Sequence, residues 1–395
     1  MSDKKIKEKT LPKLKKRKAC TPEQIAANRH IYDDHFRMGF VRQFNREIYS
    51  LMDQNYFRPE FIGFEELPER NRPEHPVIFA SNHSGMAFPW DGMIFGSGLS
   101  KMHKFDPKKQ LRVLTAPMLS QTPAMHPYFM LHAWKLAGGI DASFLNFETM
   151  MHYPDGQLLI YPEGVPGIGK GFNRRYKLQR FSSSFIRMSL KYKTDIVWYS
   201  TINAEYVAPL MYSHKGVNKA INKIGVPFLP LGPLTPLLLF PAAFFLSFPS
   251  KMTFVRGSRI RPYEWTDKAF EELTEAEIED IRQKVQQQCQ KELDLAKAEH
   301  GGQPYRLGEL LRVIFKGFPL NTPLGWPMLF HEFEKQWHQK GKKGEEVKVY
   351  KGFGASIYLL FRNPICFLYF IPFFGWLALV AYGRWRWENG FKEKE

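Results

Sequence analysis

The sequence predicts an α/β fold in which a central mixed sheet is flanked by helices. Three observations predict it. Short, predominantly apolar runs at residues 77–80, 111–115, 157–161, 195–200 and 252–255 have the length and β-branched or aromatic content of buried strands. Stretches with helical periodicity separate several of them, as in a layered α/β architecture. Turn signals such as Pro154-Asp155-Gly156 bound the runs.

The elements follow in order. Residues 22–56 read as one or two amphipathic helices, opened by Thr21 as cap and Pro22 in the first turn. Residues 92–99 form a helix for which Asp91 is the natural N-cap. Residues 182–193 form another, with Phe185, Met188 and Leu190 on its apolar side. Residues 273–297 form a long charged helix, begun by the capping box Thr274…Glu277. The chain divides into a basic flexible tail (1–20), a main α/β domain (21–300) and a C-terminal helical segment (301–395), with Gly301-Gly302-Gln303-Pro304 as linker.

Bulk properties narrow the function. The 395 residues carry a net charge of +17, which favours an anionic partner. The basic residues form no recognition helix and no zinc pattern, which argues against nucleic acid. Three cysteines, Cys20, Cys289 and Cys366, lie too far apart in sequence for a metal motif or a disulfide framework. Residues 2–18 are lysine-rich without an apolar h-region, so they read as a solvated tail or a polybasic strip on anionic lipid, and not as a signal peptide.

Two segments point to lipid. Residues 363–383 carry no formal charge, match the length of a membrane span and are followed by Arg384-Trp385-Arg386-Trp387, an interfacial type of anchor. Pro364 and Pro372 weaken a straight helix, so a span, a re-entrant hairpin, an interfacial helix and a buried core helix all remain open. Residues 233–249 hold four prolines and cannot be a regular span; they line an acyl channel, dip into lipid or form a buried connection.

Two motifs carry chemistry. Ser81-Asn82-His83-Ser84-Gly85 follows the strand 77–80, with Asp91 eight residues beyond His83. A histidine on a loop at a strand end, oriented by a carboxylate, has the features of a general base; Asp91 is equally explained as a helix cap. Tyr161-Pro162-Glu163-Gly164 follows the strand 157–161 and runs into a glycine-rich stretch with Lys170, Arg174 and Arg175, which reads as a mobile cationic loop for a phosphate. Its spacing approaches a P-loop, but Gly171 stands where Ser or Thr would be needed and Pro166 removes an amide. His126, His132 and His152 sit among apolar residues and read as structural.

Taken together, Asn82-His83…Asp91, Gly138-Gly139-Ile140, Tyr161-Pro162-Glu163-Gly164 and the strand 195–200 resemble, in order, the blocks of the glycerol-phosphate and lysophospholipid acyltransferase family, over roughly residues 40–290. The resemblance implies transfer of a fatty acyl chain from acyl-CoA or acyl carrier protein to a hydroxyl of a lysophospholipid or other glycerolipid. His83 would be the base and Asp91 its partner. Glu163 and Gly164 would organise the acceptor site, and Arg174 or Arg175 would bind the head group. No metal or other cofactor is implied. The expected partners are membrane lipid and an acyl thioester donor, and the expected location is the membrane, with the catalytic domain on the cytoplasmic side. The alternative is a catalytically inactive membrane-binding relative of the same fold. Two departures modify the expectation. Seven residues separate His83 from Asp91 where the family has four, so a bulge at Phe88-Pro89 is expected. Asp141 and Ala142 stand where the middle block usually ends in Arg, which favours a neutral acceptor such as diacylglycerol.

Overall fold

A computed structural model describes residues 20–390 apart from 87, 123–124, 129–131, 225–226, 306–307, 309–310, 312–317 and 353. The expected basic tail therefore lies, except for residue 20, outside the described residues.

The described part is an α/β layer structure around a seven-stranded mixed sheet. The strands are β1 (Glu60–Ile62), β2 (Ile78–Ser81), β3 (Leu111–Thr115), β4 (Gly139–Asp141), β5 (Gln157–Ile160), β6 (Ile196–Ile202) and β7 (Thr253–Ile260). Their spatial order is β1-β7-β6-β2-β5-β3-β4. Every pairing is parallel except β6 with β7. β2 lies between β5 and β6, so the loops that follow these three strands leave the same edge of the sheet side by side. Ligands of parallel sheets bind at that carboxyl edge.

Both faces of the sheet centre are covered, which is why β2, β5 and β6 are buried along their whole length. On β2 and the residue before it, Val77 and Phe79 belong to one core and Ile78 and Ala80 to the other. The second core is closed by Phe185, Ile186 and Met188 of the helix Ser184–Tyr192 and by Ile278, Ile281, Val285 and Cys289 of the helix Glu275–His300. The 3–4-residue spacing of the latter set is the buried stripe of an otherwise charged helix. Its capping box forms as the sequence predicts, with the Thr274 hydroxyl accepting from the Glu277 N–H.

The first core joins Ile94, Phe95 and Leu99 of the helix Trp90–Met102 to residues far along the chain: Trp326, Leu329, Phe333 and Trp337 of the helix Trp326–Gln339, then Tyr369 and Leu379. The C-terminal segment is thus packed into the same core as the strands. Residues 363–383 do not form one helix. A 3-10 stretch, Pro364–Phe370, is separated by Phe373 at φ 56° from the helix Phe374–Gly390. Pro364 opens the first piece and Pro372 precedes the second, each lacking the N–H that a continuous helix needs. Among the described residues, no helix is long and apolar enough to cross a membrane. Residues 233–249 fold into two 3-10 turns, Thr235–Leu239 and Pro241–Phe245, packed against the first core.

Candidate active site

The site is assembled from the three neighbouring loops. β2 ends at Ser81, and Asn82 locks the loop that follows: its amide Nδ2 donates to the Thr201 carbonyl at 2.9 Å, and its Oδ1 accepts from the Thr201 N–H at 2.8 Å. Asn82 thereby pairs with β6 as an extra strand residue would. The next residue, His83, is held on three sides.

The first hold is Asp91. Its Oδ2 lies 2.8 Å from His83 Nδ1 and accepts the Ser84 N–H at 2.8 Å. A carboxylate that accepts here makes Nδ1 the donor, which leaves Nε2 with its lone pair. Asp91 is fully buried, and the His83 side chain is 13% exposed. The helix starts two residues earlier than predicted, at Trp90, with Pro89 in the cap position. Asp91 is therefore not the N-cap; it lies in the first turn, where the helix dipole favours its negative charge.

The second hold is Tyr161, whose ring stacks on the imidazole at 4.2 Å between centroids. Its hydroxyl is 3.2 Å from that of Tyr199. The third is Glu163. Its Oε1 accepts the backbone N–H of His83 at 2.9 Å, and its Oε2 accepts that of Gln179 at 2.5 Å.

Behind Glu163 lies a buried charge cluster. Lys170 Nζ is 3.6 Å from Glu163 Oε1 and 3.4 Å from Glu205 Oε1, and all three side chains are essentially without solvent contact. Burial works against the ammonium, but the two carboxylates outweigh it and hold the Lys170 pKa above its ordinary value. Burial raises the pKa of Glu163, opposed by Lys170 and by the two backbone N–H donors. Those donors, one on each oxygen, suit a carboxylate, because a protonated acid would have to turn an O–H toward one of them.

The glycine-rich stretch is not the mobile cationic loop expected. A Cβ at Gly167 would stand 2.5 Å from Glu163 Cβ and 3.2 Å from His83 Cβ. A Cβ at Gly169 would meet the Phe228 ring at 2.5 Å, and at Gly171 the Ser213 N at 2.4 Å. The glycines let this loop pack tightly rather than move. Lys170 consequently faces inward to its carboxylates and presents no charge at the surface. Arg174 is half-buried, and Arg175 is exposed with its guanidinium over the Phe172 ring at 4.6 Å. Gly164, at φ 58°, is exposed and opens the short helix Val165–Ile168. The Gly138-Gly139-Ile140 block forms β4 at the far end of the sheet order, so it does not join His83. Asp141 there pairs with Lys135 at 3.0 Å.

The extra residues between His83 and Asp91 do not bulge at Phe88-Pro89. Phe88 is buried and stacks on Trp90 at 4.1 Å. The turn is made at Gly85 (φ 141°) and Met86 (φ 65°). Gly85 and Met86 also line a small apolar cavity of ≈ 20 Å³, walled by Val207, Ala208 and Met211 after β6 and by Leu234 and Leu238 of the proline-rich run. That volume holds about one water-sized group.

Comparison with known proteins adds little to this geometry. No protein-family model matches the chain. No solved structure matches it either. An uncharacterised protein of Mycobacterium leprae is 29% identical over 260 residues, covering 65% of this chain and 65% of that protein. Uncharacterised proteins of Mycobacterium bovis and Mycobacterium tuberculosis are 28% identical over 260 residues, covering 65% of this chain and 66% of theirs. The chain thus spans 65–66% of the length of these relatives.

Three site residues escape a reading by motif: Asn82 as a strand-locking amide, Tyr161 as the stacking ring, and Glu205. For Glu205 a signal exists. It is the single charged residue between Asp195 and His214, and a lone carboxylate in so apolar a stretch needs a buried counter-charge.

Proposed function

We propose that this protein is an acyltransferase that moves a fatty acyl group from a thioester, acyl-CoA or acyl carrier protein, to a hydroxyl of a lysophospholipid or other glycerolipid. The observation that carries the reading is the His83–Asp91 pair at 2.8 Å, on the loop at the carboxyl edge of the parallel strands β6, β2 and β5 whose Gly85 and Met86 line an apolar cavity. The neutral imidazole takes the acceptor's hydroxyl proton at Nε2 while the oxygen attacks the thioester carbonyl. Collapse of the tetrahedral adduct breaks the C–S bond, and the departing thiolate recovers the proton from the imidazolium. The products are an ester and a free thiol, and no acyl-enzyme is needed. Asp91 fixes the tautomer and stabilises the transient cation; a base so placed contributes about 10²–10⁴-fold. Glu163 acts from behind, by holding the His83 backbone. The exposed Arg175 and half-buried Arg174 are the cations nearest in sequence that an anionic head group would meet.

The test is a radiolabelled acyl-CoA assay against lysophospholipids, glycerol 3-phosphate and diacylglycerol. Product is expected with at least one acceptor, and His83→Ala is expected to lower turnover by at least about 10²-fold in a folded protein. Near-normal transfer by that variant would remove His83 as base, and no transfer to any acceptor from acyl-CoA or acyl carrier protein would favour an inactive relative.

A further inference from the structure

The C-terminal segment packs inward with one side and leaves the other apolar. On the helix Ala355–Arg362, Ala355 and Leu359 are buried while Ile357 and Phe361 are exposed. On the 3-10 stretch, Cys366 and Tyr369 are buried and Phe367 is exposed. On the helix Phe374–Gly390, residues 374, 377, 381, 384 and 385 are exposed and Leu379 is buried. Each of the three consecutive elements therefore has an exposed apolar side, and those of the first two meet, with the Phe361 and Phe367 rings 6.4 Å apart. Four aromatic side chains of the segment, Phe361, Phe373, Phe374 and Trp385, are 60–74% exposed. With ~150–250 Å² per aromatic side chain they alone reach the few hundred Å² that a soluble surface rarely leaves uncovered.

A second segment extends the patch. The Phe373 N–H donates to the Leu239 carbonyl at 3.0 Å, and Trp376 Nε1 donates to the Leu238 carbonyl at 2.9 Å. Leu237 and Leu239 are both exposed beside this contact, while Leu238 between them lines the cavity next to the His83 loop. The exposed patch and the candidate site thus share a wall.

Charge indicates what covers the patch. From residue 351 to 390 the bases are Lys351, Arg362, Arg384 and Arg386, and the single acid is Glu388. Arg386 is turned inward to Glu334 at 3.0 Å and Arg362 is paired with Glu332 at 3.2 Å, whereas Arg384 is exposed beside the exposed Trp385. The whole chain adds a net charge of +17. The helix Phe374–Gly390 has 17 residues, a length of about 26 Å, and leaves Phe374, Leu377 and Trp385 exposed.

We propose that this surface docks the protein onto an anionic lipid bilayer as a monotopic attachment, with Phe361, Phe373, Phe374 and Leu377 in the acyl–headgroup boundary and Arg384 among the phosphates. Neither the ribbon nor its charge depends on the acyl-transfer reading. Its test uses binding alone: flotation of the full chain with vesicles of phosphatidylcholine, with and without phosphatidylglycerol. The wild type is expected to float, more strongly with phosphatidylglycerol. Phe361→Ser/Phe374→Ser/Leu377→Ser is expected to lower partition by at least about 100-fold, since each large apolar side chain kept out of lipid changes partition by roughly tenfold or more. Arg384→Glu is expected to lower binding to the anionic vesicles and leave phosphatidylcholine binding nearly unchanged. If the triple variant has a lowered melting temperature, Phe374→Ser alone gives the same comparison at a side chain that supports little of the fold. A wild type that stays unbound, or variants that float equally well, would overturn the proposal. So would a wild-type dimer that the same substitutions dissociate, which would make the ribbon a self-association face.

Discussion

The buried Glu163–Lys170–Glu205 cluster predicts a large non-additivity. Lys170 Nζ and Glu163 Oε1 are 3.6 Å apart. At an effective dielectric of about 20, unit charges at that distance attract by about 4.6 kcal/mol, a gross value that the desolvation of both ions reduces by several kcal/mol. Lys170→Met leaves two buried carboxylates without a counter-charge, a loss of about 3–5 kcal/mol. Glu163→Gln keeps Lys170 paired with Glu205 at 3.4 Å, so its cost is of another kind. The carboxylate accepts His83 N–H on one oxygen and Gln179 N–H on the other, whereas an amide has one oxygen. One N–H then faces an NH2 group, a loss of about 1–3 kcal/mol. In the double variant only Glu205 remains ionised, and part of the Lys170→Met penalty disappears. The double variant is therefore expected to be more stable than the sum of the singles by about 2 kcal/mol, measured as urea unfolding midpoints of the four proteins. Additivity within about 0.5 kcal/mol would refute the view that the three charges form one unit. A second readout separates support of the fold from positioning of the base. Under the acyl-transfer proposal, Glu163→Gln lowers kcat with little change in KM, because the displaced group is the His83 backbone. Unchanged turnover per folded molecule would leave Glu163 a stabilising residue only.

Further expectations follow from single contacts. Asp91→Asn keeps at most one of the acceptors that hold His83 Nδ1, Ser84 N and Gly92 N, and is expected to lower turnover by about 10²–10⁴-fold in a folded protein; full activity would assign His83 to another acid or to none. Gly167→Ala places a methyl 2.5 Å from Glu163 Cβ, so a stability loss of about 1–3 kcal/mol is expected, together with reduced turnover; an unchanged urea midpoint would show that the loop gives way. Glu334 is fully buried, which by itself would raise its pKa, but hydrogen bonds from His338 and Arg386 depress it to about 2 from 4.5. A depressed carboxylate contributes stability that is complete above pH 4.5 and lost as pH falls toward 2. Acid unfolding of the wild type is therefore expected to steepen in that window and to flatten in Glu334→Gln, and equal pH dependence would exclude this ion pair as its cause.

How far the sequence can be read depends on where each signal resides. Residues 77–80, 111–115 and 157–161 are legible because strands covered on both faces leave short, predominantly apolar runs. β1 and β4 have three residues each and lie at the ends of the sheet, too short to show a period. His83 and Asp91 are legible as a pair because both lie within one loop and the turn after it. Lys170 is not, because Gly-Lys-Gly looks like a surface cation until its partners are known. Glu205 lies 35 residues further on, and only the order β5-β2-β6 brings the two together. The C-terminal segment misleads for a different reason. Hydropathy sums over residues 363–383, whereas the two prolines divide that stretch into pieces whose inward sides enter the core and whose outward sides do not.

The longer His83–Asp91 interval shows how local strain and site construction meet. The imidazole–carboxylate contact closes at 2.8 Å despite the added length, so the extra residues do not serve that contact. They are taken up where a Cβ at Gly85 would lie 2.5 Å from the Phe88 carbonyl and where Met86 adopts φ 65°. A left-handed methionine costs about 1–2 kcal/mol and persists only where the surroundings over-determine it. Here they do. The Met86 N–H donates to the Ile168 carbonyl at 3.1 Å, which ties the His83 loop to the glycine-rich loop, and Phe88 returns the chain to the core against Trp90. The strained residue is also the one that lines the apolar cavity, opposite Met211 and Leu238. Methionine is the side chain best able to re-pack around an incoming apolar group. On the acyl-transfer reading, the added residues enlarge the base's own loop into one wall of the acyl site, and the wall facing it belongs to the run whose neighbouring leucines reach the lipid-facing patch. On the same reading, an acyl chain would reach His83 by displacing Met86 and Leu238, without crossing the buried charge cluster behind the His83 backbone.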